Sequence, residues 1–111
     1  MRVDVQSSGS VAVLTPHGPL IRDEVEDFDR VVRDSIKARD GRVVIDFQHV
    51  PYLDSAGIEA LLEVASATPS VTSPRFAQLG DTCREALDLT NVLAQLDVFD
   101  TVEHAIRSFK R

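Results

Sequence analysis

The run Val43-Val44-Ile45-Asp46-Phe47 leads, through Gln48, His49 and Val50, into Pro51-Tyr52-Leu53-Asp54-Ser55-Ala56-Gly57-Ile58. The first segment is mostly β-branched and apolar. It is too short for a helix, and its continuity predicts a strand covered on both faces. Past Gly57 the period changes: Ile58, Leu61, Leu62 and Ala65 recur at spacings of three and four, which predicts a helix. A buried strand, a short loop and a helix form the repeating step of an α/β layer.

Working outward, the preceding segment from Asp23 to about Ala38 also has a helical period, with Val25, Phe28, Val31, Val32 and Ile36 on one stripe. Asp23 and Glu24 stand at its start and Lys37 and Arg39 near its end, as the helix dipole favours. Gly41 stands where a C-terminal glycine is expected. Further upstream, Val3 and Val5 alternate with polar neighbours, Ser7-Ser8-Gly9-Ser10 supply a turn, and Val11 to Leu14 is apolar, so residues 1–16 read as a hairpin. Pro16, Gly18 and Pro19 then interrupt regular structure.

Downstream, Thr68 to Pro74 reads as a polar loop and Arg75 to Leu79 as a short strand that exits at Gly80. Asp81 or Thr82 is expected to cap a third helix carrying Cys83, Ala86, Leu87 and Leu89. Val98-Phe99 forms a brief last strand or bend, and Thr101 starts a final helix with Val102, Ala105, Ile106 and Phe109 on one face. There is no internal repeat and no linker, so 1–111 is expected to be one domain.

Composition bounds the function. With 111 residues and 43% hydrophobic content, the chain can build its own core without a disulfide or metal. A net charge of −6 and a pI near 4.9 repel phosphate backbones, which argues against nucleic acid as a partner. The only basic cluster, Arg107, Lys110 and Arg111, fits dipole complementation at a helix end. No apolar run approaches the roughly 20 residues that span a bilayer, and no signal-peptide h-region opens the chain. Cys83 is the single cysteine and lies on an apolar stripe, which predicts a small core residue and suits a reducing cytosol.

The sequence carries few chemical motifs. There is no phosphate-binding glycine loop and no nucleophile elbow. His17, His49 and His104 are dispersed, without metal-ligand spacing, and neither catalytic residues nor a cofactor is expected. The informative segment is Asp54-Ser55-Ala56-Gly57, between a buried strand and a helix. Ser55 has two readings. Its hydroxyl can cap the helix by accepting from a free backbone N–H. Alternatively it is an exposed acceptor of phosphate, which the helix N-terminus would tolerate and which a partner packed there would not.

Val44-Ile45-Asp46-Phe47 through Pro51-Tyr52-Leu53-Asp54-Ser55-Ala56-Gly57-Ile58 closely resembles the signature of the STAS family, named after sulfate transporters and anti-sigma-factor antagonists. His17-Gly18-Pro19-Leu20 resembles the family's Gly-x-Leu turn. Ala86-Leu87-Asp88-Leu89-Thr90 and Val98-Phe99 through Ile106 resemble its C-terminal pattern. The resemblance implies an α/β domain with a sheet of about four or five strands and about four helices, mainly on one face. It also implies a stand-alone, non-enzymatic antagonist acting in the cytoplasm as a monomer or weak dimer.

In such antagonists the serine after the signature aspartate, here Ser55, accepts phosphate from a serine kinase that doubles as an anti-sigma factor, and a phosphatase resets the switch. Asp54 and Gly57 would support the phosphosite. Gly18, Leu20, Ile21, Asp23, Ala56, Ile58 and Glu59 would form the partner-binding surface, with Ala56 serving chiefly tight packing. Two positions depart from the pattern: Ile21 stands where an acid is common, and Asn91 replaces a glycine, although asparagine tolerates the left-handed region. The family's other roles, as a scaffold subunit of a signalling assembly or an accessory subunit of a transport ATPase, remain open on this resemblance.

Overall fold

The computed structural model describes residues 1–66 and 73–109. A hairpin opens the chain: β1 (Arg2–Ser8) and β2 (Val11–His17) run antiparallel, with Ser8 opposite Val11 and Arg2 opposite His17. The turn is confined to Gly9 and Ser10, with Gly9 at φ +61, so Ser7 and Ser8 belong to the strand. Pro16 also lies inside β2, opposite Val3, beyond the Ala12–Leu14 segment that pairs with the next strand. Its missing N–H therefore leaves no gap in that ladder.

Three strand–helix steps follow. They comprise α1 (Arg22–Arg39), β3 (Val43–Asp46), α2 (Ser55–Ser66), β4 (Arg75–Ala77), α3 (Asp81–Leu89) and β5 (Asp97–Phe99), with α4 (Val102–Arg107) closing the chain. The five strands are ordered β1-β2-β3-β4-β5, and β2 to β5 are parallel. Successive parallel strands that always step in one direction, joined by crossovers of one hand, send every crossover helix to the same face.

The core divides accordingly. Alternate strand residues Ala12, Leu14, Val43, Ile45 and Phe76 pack with Phe28 and Val32 of α1, Leu61 and Val64 of α2, and Cys83 and Leu87 of α3. Their neighbours Val11, Val13, Val44 and Ala77 face the other way and are covered by Ala105 of α4, with Val102, Ile106 and Phe109 beside it. This explains why β3 is buried along its whole length. Three of the four helices among the described residues thus share one face, as the resemblance implies.

Several local expectations shift. The left-handed exit of α1 begins on Asp40 (φ 52) and continues through Gly41 (φ 86), and the Gly41 N–H closes on the Ile36 carbonyl at 2.9 Å. Neither Asp81 nor Thr82 caps α3: they are its first two residues, and Gly80 holds the cap position without a side-chain bond. Leu89 is 77% exposed and leaves the stripe formed by Cys83 and Leu87. β4 ends at Ala77, because Gln78 turns to φ 59. Asn91 adopts φ 63, the conformation for which asparagine suits that position. Thr101 does cap α4, its hydroxyl accepting from the His104 N–H at 3.1 Å.

Cys83 is fully buried, and its Sγ lies 3.4 Å from the Val50 carbonyl. Most of the loop expected at Thr68–Pro74 lies outside the described residues, as do Lys110 and Arg111 of the basic cluster. No helix among the described residues is long and apolar enough to cross a membrane.

Candidate functional site

The C-terminal ends of the parallel strands β2 and β3 lie at the same end of the sheet, the place where open α/β sheets present their loops. Two segments meet there. The turn Gly18–Ile21 starts α1, and the segment Phe47–Asp54 starts α2. They are joined by backbone: the Gly18 N–H donates to the His49 carbonyl (3.0 Å), the Leu20 N–H to Tyr52 (3.1 Å) and the Asp54 N–H to Leu20 (3.3 Å), and Leu20 and Leu53 form an isolated parallel bridge. Gly18 holds φ +108, which glycine adopts without strain. Leu20 drops its side chain into the core with no exposure, so its side chain lies inside and not on the surface.

Asp54 caps α2; Ser55 does not, contrary to the capping reading of the sequence. One carboxylate oxygen of Asp54 accepts from the Gly57 N–H at 2.9 Å, three residues on, as an N-cap does. The other oxygen accepts from the Arg22 N–H at 3.0 Å, which starts α1. A single carboxylate therefore ties together the first turns of two helices. The Gly57 N–H foremost, and then that of Arg22, hold this carboxyl below the ordinary carboxylate range. Asp54 is thus an anion at neutral pH with both oxygens occupied.

This assignment releases Ser55. It is the first residue of α2, exposed, and its hydroxyl makes no hydrogen bond among the described residues. Ser55, Ala56 and Glu59 line a shallow open depression with Asp54 and Arg22. Gly57 is buried against the Leu20 turn, where a Cβ would stand 2.2 Å from the Leu20 carbonyl oxygen. Ile58 is half-buried against the main core, whereas Glu59 stays in solvent one turn beyond Ser55. On the facing turn, Ile21 occupies the cap position of α1 in extended conformation without a side-chain cap, and Asp23 is exposed in the first helical turn. The structure thus brings Ser55, Ala56 and Glu59 to one surface beside the Ile21–Asp23 turn. Leu20 and Gly57 lie beneath it.

Arg22 escaped the sequence reading. A cation at the first residue of a helix opposes the macrodipole, and that mismatch is the signal that could have marked it. Tyr52, on the segment before Asp54, is 48% exposed and adds an aromatic ring to this end of the molecule. Two of the dispersed histidines also meet: the rings of His17 and His49 stack with centroids 4.8 Å apart, and His17 Nε2 lies 2.9 Å from an Asp4 carboxylate oxygen. Among the described residues no group of three or more His, Cys, Asp or Glu side chains could hold a metal ion.

Comparison with known proteins gives a consistent picture. The STAS domain model matches residues 2–105. A putative anti-sigma factor antagonist from Thermotoga maritima superposes with a TM-score of 0.84 at 19% identity, over 98% of this chain and 95% of that one. An anti-sigma factor antagonist from Mycobacterium paratuberculosis gives 0.86 at 18% identity, over 99% and 94%. The anti-sigma factor antagonist SpoIIAA in its unphosphorylated form gives 0.73 at 17% identity, over 96% and 94%. At these identities the likeness is one of fold. The sequence has no significant match among curated proteins. The family model covers almost the whole chain, from residue 2 to residue 105, over the five-stranded sheet and its helices: this chain belongs to the STAS domain family.

Proposed function

We propose that this protein is an anti-sigma-factor antagonist that switches partners through phosphorylation of Ser55. Unphosphorylated, it binds a serine-kinase anti-sigma factor through the surface around the start of α2. Phosphorylated, it lets go, and a phosphatase resets it. It is a regulated binding module of the cytoplasm and catalyses nothing itself. The observation that carries this reading is the division of labour at the α2 start: Asp54 takes over the cap, and the Ser55 hydroxyl is left exposed and unbonded. A serine needed for capping would not be available to a kinase.

The physical consequence of phosphorylation follows from the same geometry. A phosphoserine carries a charge of about −1.5 to −2 at neutral pH, and the helix N-terminus accommodates it, so the fold persists. A partner packed against that surface would have to bury a dianion beside Glu59 without compensation. A tenfold loss of affinity needs only about 1.4 kcal/mol, well within what such burial costs. The fold likeness to SpoIIAA, whose structure is named for its unphosphorylated form, points the same way.

The test is intact-mass analysis of the wild type and Ser55→Ala after incubation with ATP and the serine kinases of the same genome. The expected outcome is a gain of one phosphate on the wild type alone. Failure of every kinase to modify the folded wild type sinks the switch.

A further inference from the structure

Arg22, a cation lining the Ser55 depression, is exposed and has no ion-pair partner among the described residues. Arg30 and Arg33 of the same helix, by contrast, pair with Asp27 and Asp29. Asp54, which accepts from the Arg22 N–H, is occupied by two backbone donors and forms no ion pair with the guanidinium. Its grip on the Arg22 N–H, at 3.0 Å, nevertheless fixes the root of that side chain next to the residue preceding Ser55. Arg22 and Ser55 then line one depression from two different helices.

We propose that Arg22 receives the phosphate of phosphorylated Ser55 as an ion pair within the chain. A guanidinium offers a planar fork that fits two phosphate oxygens at once. Glu59 lines the same depression, and its like charge disfavours the phosphate on its own side. Phosphorylation therefore changes the surface twice: it adds a dianion, and it withdraws the cation that an approaching partner would otherwise meet. Two helices already tied by Asp54 acquire a second tie, so the modified protein keeps its fold. This inference rests on Ser55 as the phosphoacceptor, and it assigns the residue that answers the modification.

The experiment places phosphoserine at position 55 of the full chain by genetically encoded incorporation and follows its 31P resonance through a pH titration. The phosphate ordinarily takes its second proton near pH 6. In the wild type the midpoint is expected about 0.2–0.7 of a pH unit below that of Arg22→Gln, the range an exposed ion pair gives. Arg22→Lys keeps part of the difference, and about 1 M salt removes most of it. Because Arg22 is an exposed side chain without an ion-pair partner among the described residues, the glutamine variant retains the fold, which circular dichroism checks. Coincident titrations of wild type and Arg22→Gln overturn the ion pair. The two readings fail separately: a kinase screen without product removes the natural switch but leaves this titration standing, and coincident titrations leave the switch intact.

Discussion

Replacing Gly57 by alanine puts a methyl group where the chain has no room for one. The new Cβ would sit 2.2 Å from the Leu20 carbonyl oxygen and 3.1 Å from the Leu53 Cβ, whereas carbon and carbonyl oxygen ordinarily approach to about 3.3–3.6 Å. Roughly 1 Å must therefore be found between the α1 turn and the start of α2. Leu20 cannot supply it cheaply, since its N–H bonds to Tyr52, its carbonyl accepts from Asp54 and its side chain is buried. Overpacking of this kind costs about 1–3 kcal/mol, and the upper half applies because the closest atom is a backbone carbonyl oxygen and not the end of a flexible side chain. Alanine returns up to about 1 kcal/mol through its helix preference.

The net expectation is a loss of about 2 kcal/mol, or a fall in Tm of roughly 6–12 °C for a chain of this length. Thermal and urea unfolding followed by circular dichroism measure it. Gly80→Ala is the control: nothing lies within 4 Å of its Cβ, and its φ of −73 suits any residue. Only the cap preference acts there, at under about 1 kcal/mol. A Gly57→Ala protein as stable as the wild type would refute the argument that close approach of two backbones holds the Ser55 segment in place.

Two further outcomes follow from Asp54 and Cys83. The Asp54 carboxyl is held below its unfolded value, so its contribution is complete above about pH 4, near the unfolded pKa, and is lost as the pH falls through the lower folded value. Asp54→Asn keeps a cap oxygen but not the charge. Its deficit in urea midpoint against the wild type should be widest at neutral pH and should shrink below about pH 4; a deficit independent of pH contradicts the linkage. Burial pushes the Cys83 thiol up and shields it, so an aromatic disulfide reagent should titrate no thiol in the native protein and one after unfolding. Rapid native reaction would mean that α3 packs differently.

Much of the architecture was legible because it rests on local periodicity. Val25, Phe28, Val32 and Ile36 mark a helix at any position in a fold, and Val43 to Phe47 is too apolar to be anything but interior. The ends of elements were less legible. A capping side chain is chosen by which N–H groups its neighbours leave open, and Asp54 and Ser55 are equally good caps by residue type. Gln78 and Asp40 take positive φ, a conformation uncommon for residues other than glycine and not marked by periodicity.

The sequence by itself determined the alternation of strands and helices, the two-sided burial of β3 and the position of an unusual serine at a helix start, since each is written in residues close together along the chain. Only the tertiary structure decided that Asp54 caps α2, that its other oxygen reaches the backbone of Arg22 thirty-two residues away, and that Arg22 shares a depression with Ser55. These relations join side chains to backbone groups on a different segment. Their partners are selected by the packing of Leu20 against Leu53 and Gly57, a contact between segments that no periodicity along the chain encodes.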